Sequence, residues 1–146
     1  MTRFEAKTDI KASPQQVFDY VSDMTKHGEW GAYGLEVTQT SGSGPGMGAT
    51  YASTAKNFGT QREQQTVTAF DPGRRFAFQS KGALGLAEHA FDLSGSDGST
   101  SVTKSMELVQ PSFLARVMSF RIKGAQPKEL AADLERIKAK LEGGSP

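Results

Sequence analysis

Three side chains that can move protons lie on strand-like segments whose alternation turns them toward apolar neighbours: Glu63, His89 and Lys104. In a strand, residues two apart share a face. His89 therefore shares one with Ala87, Phe91 and Leu93, and Lys104 shares one with Val102, Met106 and Leu108. Glu63 and Gln65 fall on the face of Val67. With a near-neutral pKa, His89 can serve as acid or base, or orient a ligand carbonyl. Its plainer role is a core histidine bonded to a group on a neighbouring strand. Lys104 fits a cavity rim with its ammonium in water. Glu63 either pairs with Lys104 or lies outside after a bulge. None of the three sits in a motif that demands catalysis, so all three are catalytic candidates only.

Other chemistries find little support. The chain has no cysteine, which removes disulfides, thiolate metal sites and thiol nucleophiles. Two histidines, His27 and His89, leave little for a zinc site; no metal and no cofactor are expected. A net charge of +1 lacks the basic excess of a nucleic-acid binder. Arg74-Arg75 reads as a turn-flanking surface pair rather than an anion site. The N-terminal residues show no apolar targeting core, and no run approaches a membrane span. The expectation is a cytoplasmic monomer or small homo-oligomer.

The elements that must position these groups are mostly strands. Arg3 to Ile10 alternates. Ser13-Pro14-Gln15-Gln16 announces a short helix, with Ser13 as cap, Pro14 at the first position and Gln16 as capping-box partner. Ser22-Asp23 opens a second short piece that ends at Trp30. Strands follow at Glu36–Thr40, Ala49–Thr54, Gln61–Phe70, Arg74–Lys81, Leu86–Leu93 and Ser101–Val109. Asp71-Pro72-Gly73 supplies a turn with φ preset at Pro and positive at Gly. Asn57-Phe58-Gly59, Gly82–Gly85 and Ser94–Ser99 mark further connections, the first two of them candidate gates.

The end reads as two helices. Ser112 to Lys123 closes at Gly124, and its Phe113, Met118 and Phe120 are expected to pack on the sheet edge with Arg116, Arg121 and Lys123 solvated. The other reading is a basic amphipathic surface helix, but membrane contact is not the expected outcome. Pro127 to Glu142 carries the stripe Leu130, Leu134, Ile137 and Leu141. One domain, 1–143, with a disordered tail at 144–146, accounts for the chain. About seven strands cannot stay flat and must cover one apolar face. The final helix is the element long enough to do so, and a gap between the two makes a cavity.

Three ordered segments, Ile10–Val21, Val67–Phe78 and Leu130–Leu141, resemble the START/SRPBCC superfamily, in its polyketide cyclase/dehydrase-like branch. The resemblance implies an α+β helix-grip fold. A curved antiparallel sheet of about seven strands wraps around a long C-terminal helix, with two short helices between the first and second strands. It implies a cavity for a small apolar ligand and no shared catalytic residues. Period-2 sorting of the strands, together with the stripe of the last helix and Trp30 of the second short helix, then gives the candidate wall: Trp30, Tyr51, Gln65, Val67, Phe76, Phe78, His89, Phe91, Met106, Leu130 and Leu134. Trp30 and Tyr33 either plug the core or line an entrance. Three functions share that container. First comes binding of a lipid, isoprenoid or polyketide-like molecule. A cyclase or dehydratase using the same cavity comes second, and a protein-interaction module acting through Ser112–Lys123 third.

Overall fold

The computed structural model describes residues 2–56, 59–96 and 98–143. Asn57 and Phe58 of the first candidate gate, Asp97 of the Ser94–Ser99 connection and the tail 144–146 lie outside the described residues. Strand β1 (Thr2–Ile10) leads into α1 (Pro14–Val21) and a 3-10 helix (Met24–Glu29). Six strands follow: β2 (Glu36–Ser41), β3 (Thr50–Lys56), β4 (Thr60–Asp71), β5 (Arg75–Gly82), β6 (Gly85–Ser96) and β7 (Ser99–Pro111). Helices α2 (Phe113–Val117) and α3 (Ser119–Gly143) close the chain.

Local chemistry accounts for these boundaries. At α1, Ser13 Oγ accepts from the Gln16 amide at 3.2 Å, and Gln16 Oε1 accepts from the Ser13 amide at 2.9 Å. The two bonds make a complete capping box with Pro14 at the start. Asp23 caps the 3-10 helix by accepting from the Thr25 amide. Between β4 and β5 the Arg74 amide donates to Asp71 O at 2.9 Å, and Gly73 takes φ 76°. This is the turn that Asp-Pro-Gly predicts.

The strands form a single antiparallel sheet in the order β1-β7-β6-β5-β4-β3-β2. The register shifts at Thr68 in β4 and between Leu86 and Ala87 in β6, and such bulges raise local twist and help the sheet curl. Gly85 has φ 102°, and a Cβ there would stand 2.1 Å from Gln110 O, so the short Gly82–Gly85 connection requires glycine at its end. Helix α3 lies across the inner face and packs most against β1. Lys138 Nζ donates to Asp9 O, and Glu142 accepts from the Lys11 amide at 2.8 Å. The helix-grip architecture with two short helices after β1 is the observed fold.

Two expectations for the C-terminal region are corrected. Gly124 does not end a helix: α3 runs through both Gly124 and Pro127, and the interruption lies at Met118 (φ −92°, ψ 8°). Nor do Phe113 and Phe120 pack on the sheet edge, although Met118 packs inward beside Phe4, Met106 and Ile122. Ala115 and Ile122 turn inward, while Phe113, Leu114, Val117 and Phe120 are exposed. The chain break at Met118 resets the helical phase, so a stripe read as one continuous helix does not survive it.

Candidate functional site

Pairing across the sheet arranges the candidate wall in rows. Tyr51 faces Gln65, which faces Ser80, which faces Ala87. Val67 faces Phe78, which faces His89, which faces Met106 and then Phe4. Phe76 faces Phe91, which faces Lys104 and then Ala6. The inner aromatics are in mutual contact: Phe76 and Phe78 have ring centroids 5.8 Å apart, and Phe76 and Phe91 6.4 Å.

The buried side chains fall into two apolar clusters. Trp30, Tyr51, Val67, Phe76, Phe78, Phe91 and Leu134 belong to the larger one, with α1 residues Val17, Phe18 and Val21. Met106 and Leu130 belong to the smaller one, with Phe4, Ala87, Leu108, Ala115 and Ile122. Ala6 packs against both, and the polar side chains of His89 and Lys104 lie in the rows between. They mark a polar seam between the clusters. His89 keeps part of its surface accessible although it lies on the inner face.

Lys104 is not the rim residue that its type suggested. Its exposure is 4%, and its Nζ sits 5.3 Å from the Phe91 ring centroid and 5.6 Å from that of Trp30. Its carboxylate partner is Asp133 of α3, at 3.8 Å, and not Glu63. Asp133 is held more closely by Arg136 at 2.6 Å, and Arg136 also donates to Trp30 O. Burial therefore lowers the Lys104 pKa, opposed by Asp133 and Glu129. Burial raises that of Asp133 against the pull of the two cations.

His89 stacks on Phe78 at 4.9 Å, and its Nε2 lies 3.3 Å from Ser80 Oγ on the neighbouring strand. Its pKa is lowered to about 3, first by burial and then by repulsion from Lys104 and His27, so it is neutral at physiological pH. Gln65 is buried and donates to Ser53 Oγ at 2.6 Å, while its Oε1 has no hydrogen-bond partner among the described residues. Trp30 Nε1 and Thr68 Oγ1 are in the same position. Glu63 lies over Gly82, where a Cβ would stand 2.7 Å from its Cγ, and burial raises its pKa. Trp30 is in the core, whereas Tyr33 is 44% exposed and donates to Glu129 Oε1 at 2.6 Å. The pair therefore splits between plug and surface.

His27, which no sequence pattern singles out, belongs to the same interior. It is 2% exposed, its ring lies 4.5 Å from Trp30 and 5.7 Å from Phe78, and Nε2 donates to Val21 O at 2.8 Å. Burial lowers its pKa to about 4. Among the described residues no group of His, Cys, Asp and Glu could hold a metal ion, and no helix is long and apolar enough to cross a membrane.

Hollows at the surface of the described residues include two of several hundred Å³. One, of about 410 Å³, is lined by Glu29, Arg136, Ala139, Lys140 and Gly143; the other, of about 280 Å³, lies in the Gly42–Ala49 connection. Neither is lined by a residue of the expected wall. In this conformation the wall residues are packed against one another.

Residues 1–142 match the protein family described as polyketide cyclase / dehydrase and lipid transport. No curated protein matches the sequence. Solved structures share the fold at low identity. TTHA0849 from Thermus thermophilus aligns with a TM-score of 0.78 and 16% identity, over 99% of this chain and 100% of that one. The Aha1 dimer from Colwellia psychrerythraea aligns at 0.67 and 20%, over the whole of both chains. DynU16, from the dynemicin biosynthetic locus, aligns at 0.67 and 16%, over 99% of this chain and 48% of that one.

Proposed function

The chain belongs to the polyketide cyclase / dehydrase and lipid transport family, a hydrophobic ligand-binding fold, and on that premise we propose that it binds one small, mainly apolar molecule bearing a polar group. A lipid, an isoprenoid or a polyketide-like ring has that chemistry. The guest lies between the sheet and α3, at the seam between the two apolar clusters. One observation carries this reading: a donor, Trp30 Nε1, and an acceptor, Gln65 Oε1, are buried without partners among the described residues. Each orphaned group costs about 1–3 kcal/mol, and a guest that bonds to it recovers that cost. Entry requires the clusters to part, which makes binding a shift toward a more open state.

Thermal denaturation against a panel of lipophilic compounds, with native mass spectrometry of protein purified from cells, tests the proposal. A saturable rise in melting temperature and a copurifying mass are the expected results. Gln65→Leu keeps the volume and removes the acceptor, so it weakens the guest about tenfold. A panel without any shift, together with a bare protein mass, refutes ligand binding.

A second reading, a cyclase or dehydratase in the same space, draws on Lys104 and Glu63. Burial moves the pKa of each toward neutrality, the direction proton transfer requires. Turnover of a bound polyketone that survives both Lys104→Met and Glu63→Gln excludes this assignment.

A further inference from the structure

The two helices at the start of the C-terminal region turn their large apolar side chains outward. Phe120 is 88% exposed, Phe113 82%, Val117 64% and Leu114 45%. Phe113 and Val117 lie one turn apart on α2, with Leu114 beside them. The inward positions are filled by Ala115, Met118 and Ile122. An aromatic pair in water with an alanine inside is the reverse of what burial favours within a closed domain. The arrangement is held in place. Ser112 caps α2 by accepting from the Ala115 amide, its hydroxyl donates to Ala83 O at 2.7 Å, and its amide donates to Leu84 O.

Along the sequence, the charges of this stretch have a single sign. Arg116, Arg121, Lys123 and Lys128 are all exposed, and no acidic residue occurs from 108 to 128. We propose that Phe113, Leu114, Val117 and Phe120 dock into the interface of an anionic phospholipid bilayer, with Arg116, Lys123 and Lys128 on the headgroups. Apolar side chains inserted at the headgroup boundary with basic residues beside them make the usual combination for reversible binding in the membrane plane. The charges also argue against a second copy of the chain. A two-fold pairing of the patch with itself would set Arg116, Lys123 and Lys128 against their own equivalents.

Leu84, whose carbonyl anchors Ser112, packs on the smaller apolar cluster that borders the seam. Docking would bring that end of the interior to the membrane surface. The proposal stands without any assumption about a guest.

Co-sedimentation with vesicles tests it. Wild-type protein is expected to pellet with phosphatidylcholine vesicles containing phosphatidylglycerol, and to stay in solution with pure phosphatidylcholine. Binding weakens as salt rises, because the surface attraction is screened. Phe113→Ser with Phe120→Ser lowers the partition coefficient at least about tenfold, and Arg116→Glu with Lys123→Glu lowers it by about fivefold per cation removed. Circular dichroism shows whether each variant is folded; should the phenylalanine pair unfold, the charge pair carries the test. Protein that ignores anionic vesicles, or that pellets equally with both compositions, overturns the proposal. So does self-association abolished by the phenylalanine variants in the absence of vesicle binding, which would make a second copy the occupant.

Discussion

Asp133 serves two buried or half-buried cations, and it is close to only one of them. Arg136 lies at 2.6 Å and Lys104 at 3.8 Å, so Lys104 is the undercompensated charge in the interior. Removing a buried partner leaves the other charge exposed to its full desolvation cost, while removing the surplus charge relieves it. Asp133→Leu is therefore expected to cost about 3 kcal/mol. Lys104→Met, of similar length, is expected to be neutral or to stabilise by about 1 kcal/mol. Urea midpoints of the two variants decide the matter, and equal losses would mean that Lys104 and Asp133 act as a tight pair. His27 gives a pH signature. Its folded pKa, about 4, lies below the ordinary value of 6.5 because burial disfavours the charged ring. Its contribution is whole above pH 6.5 and is lost as pH falls toward 4. Between about pH 7 and pH 5 that share amounts to about 2 kcal/mol. His27→Phe, neutral at every pH, should show a shallower fall in urea midpoint over this interval, whatever it loses at neutral pH by leaving Val21 O unbonded. An unchanged slope would place the proton-linked loss elsewhere.

At the scale of elements, α3 contains two residues that oppose it. Gly124 has open space where a Cβ would stand, and Pro127 sits inside the helix without an amide to donate. Gly124→Ala should stabilise by about 1 kcal/mol. That corresponds to roughly 2–4 °C in melting temperature for a domain of this size. Gly85→Ala should do the reverse and more, since its positive φ and the 2.1 Å approach to Gln110 O leave no room for a side chain. Calorimetry on the two variants reads both signs. These helices are also where the sequence misleads most. Glycine and proline in succession predict a stop, but the stripe Leu130, Leu134 and Ile137 holds the later part of α3 against the sheet and β1, and tertiary packing overrides propensity. The strands are legible because alternation and turn residues agree: Phe76 and Phe78 share the inner face, and Asp71-Pro72-Gly73 makes the turn. Alternation also turns Lys104 inward, yet cannot show that its head stays buried, because Asp133 reaches it from another element. His27 carries no pattern at all. A 3-10 turn presses it onto Phe76, Phe78 and Phe91, residues distant in the chain.

For the whole molecule, the question is how a packed interior admits a guest. The two apolar clusters meet at Ala6, with His89 and Lys104 in the rows between them, and this border is where a guest would part them. Trp30 is placed to report such an event. It is the sole tryptophan of the chain, it is 3% exposed, and its ring contacts His27, Phe91 and the Lys104 ammonium. Free protein should emit as a buried indole, shielded from acrylamide. A guest bonded to Nε1 changes the polarity around the ring and supplies the missing acceptor, so emission should shift saturably with ligand concentration. The same titration should raise stability by about 2.7 kcal/mol at a hundredfold excess over Kd. Thermal protection without any change in Trp30 emission would place the guest away from the seam, in a surface groove such as that between Glu29 and Lys140. Agreement of the two midpoints would tie the stabilising site to the interior that the sheet and α3 enclose.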